Sequence, residues 1–161
     1  MQGQDEVGMA QFRQGLASWR ATGAVVNVPF FCTLLAEVSD HIGHMEDGLQ
    51  VLAEAHTLME QHDERWWEAE VYRLRGVLLL RQTMPQLEEA EAYFQQALDV
   101  ARRQEAKALE LRAATSLARL WQQQGKRAAA RALLAPIYAW FTEGFDTADL
   151  QDAKALLDDL A

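Results

Sequence analysis

Cysteine is nearly missing from this chain: Cys32 is the single one in 161 residues. No internal disulfide can therefore close, and the composition fits a reducing compartment, so the cytoplasm is the expected location. Proline is almost as scarce, with three residues, which leaves long stretches free of the residue that most strongly breaks helices. No apolar run approaches the ~20 residues of a membrane span. The segment from Met1 to Gly8 is polar and acidic, without the apolar core of a signal peptide. Residues 1–7 read as a poorly ordered lead or the frayed start of a helix. Positive charge is also in deficit: 15 Lys and Arg stand against 24 Asp and Glu, for a formal charge of -9. Phosphate backbones and anionic membranes are bound by a basic surplus, so neither nucleic acid nor membrane is an expected partner. What is present is a globular, helix-tolerant mixture in which 50% of residues are apolar and 24% charged. It is long enough for one domain or a short repeat array.

Self-similarity is the dominant feature. The small residues Gly8, Gly48, Ala90 and Ala130 are separated by 40, 42 and 40 positions. Four residues after them come Phe12, Leu52, Phe94 and Leu134, and three beyond those come Gly15, Ala55, Ala97 and Ile137. Small, large and mostly small residues at this spacing share one helical face, as close packing against a neighbouring helix requires. These are read as second helices of successive hairpins. The first helices are the periodic apolar stretches from about Pro29 to Ile42, Trp66 to Leu80 and Leu109 to Trp121. Gly43 and Gly125 follow two of them, where a left-handed C-terminal cap favours a residue without a β-carbon. Pro85 breaks the middle unit instead, and a loop lengthened by two residues over Gln82 to Leu87 accounts for the spacing of 42.

The resulting division is an unpaired second helix over 5–22, hairpins over 28–63, 65–104 and 106–143, and a capping helix over 146–160. Asp146 is expected to cap that last helix, with Phe145 stapling against Leu150. Leu150, Ala153, Leu157 and Leu160 then form one apolar stripe, with Asp152, Asp158 and Asp159 toward water, as the end of a repeat array requires. Gly8 to Trp19 has no first helix before it, and the apolar surface this leaves is a candidate for self-association.

Several residue clusters invite chemistry. His41 and His44, with Glu46 and Asp47, have the spacing of a divalent-metal site, yet the histidines flank a helix end and the acids open the next helix, where the helix dipole favours each. His56 and His62 converge with nothing. Cys32 sits among Phe30, Phe31, Leu34 and Leu35 and reads as a small buried hydrophobe without a base to activate it. Trp66 and Trp67, adjacent on a helix, point apart, so one of them is expected at the surface. Glu88 with Glu89 and Asp158 with Asp159 diverge as helical neighbours and read as solvated faces. In the stretch from Arg65 to Arg75, Glu68 and Glu70 interrupt the basic residues, unlike a single-strand-binding platform. No cofactor, metal or catalytic constellation is expected.

Gly76 with Ala90, Phe94 and Ala97, and Ala118 with Gly125 and Ala130, resemble the tetratricopeptide repeat. The 34-residue unit of that family is exceeded here by six to eight residues, and Ser39 and Leu79 stand where an aromatic is usual. The resemblance implies an all-α fold, an α-α superhelix of tetratricopeptide-like helical hairpins with a C-terminal capping helix. The segments WWEAEVYRLRGVLLL, AKALELRAATSLARLWQQQGK and WFTEGFDTADLQDAKALLDDL further resemble the C-terminal region of bacterial multidomain signalling proteins. Those join a class III nucleotide cyclase or a DNA-binding domain to an AAA-type or STAND-type ATPase. No phosphate loop of the G-x-x-x-x-G-K-[ST] type occurs in these residues, so no nucleotide chemistry is carried over.

In tetratricopeptide arrays the first helices line a concave groove. Carried onto this chain, that face comprises Glu37, Asp40 and His41 from the first full unit, Glu70, Arg73, Val77 and Arg81 from the second, and Arg112, Thr115 and Arg119 from the third. The Lys and Asn set that clamps a terminal carboxylate in some relatives is missing, but Arg forks recognise carboxylates. Charge is also segregated. Only acids occur among the Asp, Glu, Lys and Arg residues from Glu37 to Glu64, the tail from Glu143 to Asp159 is acidic apart from Lys154, and Ala101 to Arg131 holds eight Lys or Arg against Glu105 and Glu110. The expected function is protein–protein interaction or scaffolding in bacterial signalling. An acidic protein or peptide segment, or the tail of a second copy, would dock near Arg112 and Arg119. A small-ligand sensor and a self-association module are the alternatives.

Overall fold

Apolar residues at helical spacing, each run closed by a turn, give eight helices and no strand among the described residues. Those are 2–23 and 26–161 of the computed structural model, with side chains from residue 7 onward. In order they are α1 (Gln2–Ala21), α2 (Val28–His41), α3 (Met45–His62), α4 (Glu68–Arg81), α5 (Leu87–Arg103), α6 (Lys107–Gln123), α7 (Arg127–Tyr138) and α8 (Ala148–Asp159). The unpaired helix predicted over 5–22 falls on α1, the three hairpins on α2 to α7, and the capping helix on α8. Of the lead over 1–7, Met1 lies outside the described residues, and the backbone is helical from Gln2.

Each first helix packs on its own second helix, α2 on α3, α4 on α5 and α6 on α7, and also on the next first helix, so that α2, α4, α6 and α8 adjoin in sequence. The architecture is an all-α helical repeat. Gly48, Ala90 and Ala130 are buried at the hairpin contacts, as their recurrence predicts. A β-carbon on Gly48 would lie 2.8 Å from the tip of Leu78, and one on Gly76 would lie 2.6 Å from the ring of Phe94. Gly76 is thus the socket into which Phe94 fits, locking α4 to α5.

The register departs from prediction in α1. Gly8 and Gly15 are exposed, with no atom within 4 Å of where a β-carbon would stand. Met9 and Leu16, on the side facing α2 and α3, are the buried residues instead. The reason is topological, since among the described residues no first helix lies on the other side of α1.

Gly43 and Gly125 adopt φ of 83° and 78°, the left-handed closures that the sequence calls for. Between α4 and α5 run residues 82–86, against 42–44 and 124–126 in the other hairpins, so the two extra residues do sit in a loop. The predicted start of the last helix is corrected. Gly144, at φ 76°, turns the chain so that Thr147 is the N-cap residue and Asp146 stays outside. The Thr147 hydroxyl donates to the Gly144 carbonyl at 2.7 Å. Phe145 rests against Tyr138 at 5.9 Å between ring centroids, while Leu150 enters the core without it. Leu150, Ala153, Leu157 and Leu160 form the buried stripe, joined by Leu156. No described helix is long and apolar enough to cross a membrane.

Candidate functional site

Aligning the first helices brings their polar residues into one strip of ion pairs. Glu70 of α4 is its centre. The Arg73 guanidinium donates to both carboxylate oxygens of Glu70, at 2.9 and 2.7 Å, and Arg112 of α6 lies 2.9 Å from the same group. Arg112 also reaches Glu37 of α2 at 3.6 Å and Asp149 of α8 at 3.7 Å. Arg73 lies 3.8 Å from Glu37. Flanking pairs join Arg81 to Asp40 at 2.7 Å and Arg119 to Asp152 at 2.6 Å. Burial weighs against the charge on Arg73, but the hydrogen bonds it donates to Glu70 and the negative charge of that carboxylate outweigh it and push the Arg73 pKa up. The Glu37 pKa is also raised, by burial first and then by the nearby charge of Glu70, against the pull of Arg112 and Arg73.

Beside this strip opens a cleft of about 410 Å³, lined by Arg73, Val77, Arg81, Arg112, Thr115 and Arg119 and closed on one side by Asp149 and Asp152 of α8. Six of the ten predicted groove residues therefore share one surface. The other four do not line it. Glu70 is 2% exposed and lies beneath the arginines, because a carboxylate between two guanidiniums is better satisfied there than in the opening. Glu37 and Asp40 reach the cleft's arginines only through their ion pairs, and His41, together with Glu37, lines the separate groove between α1 and α2. Two of the six lining residues offer a ligand no more than aliphatic contact. Thr115 is buried with its hydroxyl donating to the Leu111 carbonyl at 2.8 Å, and Val77 is half-buried. The groove's chemistry is that of its arginines.

Asp149 and Asp152 are the cleft residues the sequence does not announce. Their helix reads as a cap with a wet outer side, and only the placement of α8 next to α6 turns these carboxylates toward Arg112 and Arg119. In the fold, the chain's own acidic tail supplies carboxylates to the arginines near which an acidic segment is expected to dock. Glu68 and Glu110 were likewise missed: both are buried, Glu68 held 3.1 Å from Arg65, and Glu110 bound by Lys107 at 2.7 Å and Arg102 at 3.0 Å.

The remaining clusters stay apart. His41 is exposed, His44 lies 3.6 Å from Asp47, and among the described residues no group of three or more His, Cys, Asp or Glu could hold a metal ion. Trp66 is exposed and stacks on Phe30 at 6.1 Å, while Trp67 turns inward and donates to the Thr33 hydroxyl at 2.9 Å. Cys32 is fully buried, and burial drives its thiol pKa up to about 11, with Arg20 opposing only in part. Because the thiolate is the reactive species, Cys32 is expected to resist iodoacetamide near neutral pH and to react only as urea unfolds the chain. Rapid alkylation of the native protein would contradict that enclosure.

No protein-family model matches the chain. The chain is similar to an uncharacterized protein of Rhizobium meliloti, with 31% identity over 113 residues. The match covers 70% of this chain and spans 11% of the length of that relative.

Proposed function

We propose that this chain is a protein-interaction module of the tetratricopeptide kind, working in the cytoplasm as part of a bacterial signalling or regulatory system and without catalysis of its own. An acidic segment of a partner protein docks in the arginine cleft. The observation that carries this reading is the cleft itself: Arg73, Arg81, Arg112 and Arg119 line it, and each holds a carboxylate already. A surface that binds carboxylates of its own chain has the geometry to bind those of another.

Competition is cheap where the resident acids are exposed. Asp149 and Asp152 have side chains 49% and 51% exposed, and such pairs are worth about 0.2–1 kcal/mol. An incoming carboxylate displaces these two and leaves buried Glu70 in place. The segment's remaining contacts fall on the aliphatic parts of Val77 and Leu80, which also line the cleft.

The test is binding of a fluorescently labelled acidic peptide at low and high salt. Binding is expected to weaken with salt, to tighten in Asp149→Asn with Asp152→Asn, and to vanish in Arg81→Glu with Arg119→Glu, whose side chains are 58% and 48% exposed, while the helical circular dichroism is kept. Equal binding by all three proteins would remove the cleft from consideration. Failure of any acidic peptide to bind, together with saturable binding of a small anion, would favour a small-ligand sensor instead.

A further inference from the structure

Arg73 and Arg81 stand eight residues apart on α4, and Arg112 and Arg119 seven apart on α6. At 1.5 Å of rise per residue, the cleft's arginines therefore form two poles about 10–12 Å apart. At the first pole Arg73 and Arg112 are held about Glu70, with side chains 13% and 25% exposed, whereas Arg81 and Arg119 at the second are 58% and 48% exposed. Between the poles α4 contributes the aliphatic side chains of Val77 and Leu80, both half-buried. On α6 the hydroxyls of Thr115 and Ser116 are already donated to carbonyls of their own helix, at 2.8 and 3.0 Å. Asp149 and Asp152 match this layout poorly, because three residues on a helix separate them by only about 4.5 Å. Asp152 meets Arg119 at 2.6 Å, and Asp149 is left 3.7 Å from Arg112, beyond hydrogen-bond reach.

Charge alone gives an incoming segment no advantage over these residents. Glu37, Glu70 and Asp149 face Arg73 and Arg112 at the first pole, and Asp40 and Asp152 face Arg81 and Arg119 at the second. A carboxylate that displaces Asp149 or Asp152 replaces like with like. Preference for a partner then comes from two things that α8, which packs on α6 and α7 and not on α4, does not supply. One is a spacing that fits both poles, and the other is an apolar group over Val77 and Leu80. We infer that the segment docked here is an extended chain with acidic residues at positions i and i+4 and an apolar residue at i+2. This rests on the arginine cleft being the docking site and adds what that site reads. In an extended chain alternate side chains point the same way and each residue advances about 3.3 Å, so the two acids lie about 13 Å apart with the apolar group midway. The exposed arginines of the second pole take up the small difference. Arg112 lies 2.9 Å from Glu70 and Arg73 reaches Ser116 at 3.5 Å, so α4 and α6 stand too close for a helix to enter between them. A helix of about 10–12 Å diameter would lie over the cleft, whereas a strand lowers every second side chain into it.

Fluorescence anisotropy with three labelled peptides of equal length, on the full chain, tests the spacing. The first carries Glu-Ser-Leu-Ser-Glu at its centre, the second the same residues with the two glutamates adjacent, and the third serine in place of the leucine. The first is expected to bind tightest. The second should be weaker by roughly two- to fivefold, the scale of one exposed ion pair, and the third by about tenfold, the scale of one apolar group in a pocket. In Arg81→Gln with Arg119→Gln, both exposed side chains, the first and second peptides should bind alike, because a single pole cannot sense spacing. Equal binding of all three peptides by the unaltered chain overturns this inference and leaves the arginine cleft as a docking site. So does a preference for the first peptide over the second that survives Arg81→Gln with Arg119→Gln. Failure of all three to bind removes the cleft as a docking site, and this inference with it.

Discussion

Glu70→Leu is expected to cost about 3–5 kcal/mol of folding stability, the range for removing one partner of a buried ion pair. The carboxylate is nearly inaccessible, accepts two bonds from Arg73 and lies 2.9 Å from Arg112. Leucine would fill its volume while leaving two guanidiniums side by side, with the Arg73 side chain only 13% exposed. The charges, not the shape, carry the penalty. The triple change of Glu70, Arg73 and Arg112 to leucine should therefore recover most of the loss, as apolar replacement of a whole buried cluster is often close to neutral. Urea denaturation of the single and triple variants decides the matter. A single-variant cost below about 1 kcal/mol would mean that the cluster behaves as solvated surface pairs do.

The second large effect centres on Phe94. Phe94→Ala should cost about 3–5 kcal/mol, because the ring is 1% exposed and its removal leaves a cavity between α4 and α5. Gly76→Ala reads the same contact from the other side. Alanine gains about 1 kcal/mol of helix propensity over glycine, but the added methyl would stand 2.6 Å from a ring that has nowhere to go. Overpacking of this kind costs about 1–3 kcal/mol and decides the sign. In the Phe94→Ala background the obstacle is gone, so there Gly76→Ala should stabilise. Gly48→Ala is the comparison: its nearest obstacle is the flexible end of Leu78, so it should be far milder than Gly76→Ala. Thermal denaturation of the double-mutant cycle measures the coupling, and additive effects would show that Phe94 does not seat on Gly76.

The parts legible in sequence are those with a local cause. Gly48, Ala90 and Ala130 recur because helices touch there, and Gly43 and Gly125 occur where the backbone turns left-handed, so residue type alone marks them. Asp63 and Glu105 take the same left-handed conformation, at φ 53° and 54°, after α3 and α5. Aspartate tolerates that conformation, but nothing in the residue type announces it at Glu105. The departure in α1 has a related origin, since Gly8 and Gly15 keep the register of a buried face that no helix among the described residues covers, and a pattern records the face without the neighbour. The candidate site was legible only in outline. Carrying over a known groove reaches Arg73, Arg81, Arg112 and Arg119 but sets Glu70 in the opening, and periodicity turns Asp152 toward water and gives no sign of Asp149. Their positions depend on which helix lies beside which, information that no single helix contains.

Arg112 has a consequence for how the chain comes apart. Helical stacks are built from contacts close in sequence, so their units can in principle melt one at a time from either end. A guanidinium in α6 that reaches Glu37 in α2, Glu70 in α4 and Asp149 in α8 joins positions more than a hundred residues apart. Fraying of α2 or α8 strips a counter-charge from the same half-buried group. The ends are thereby coupled through the middle, which makes the stack from α2 to α8 melt more nearly as one cooperative unit than its local wiring alone would dictate.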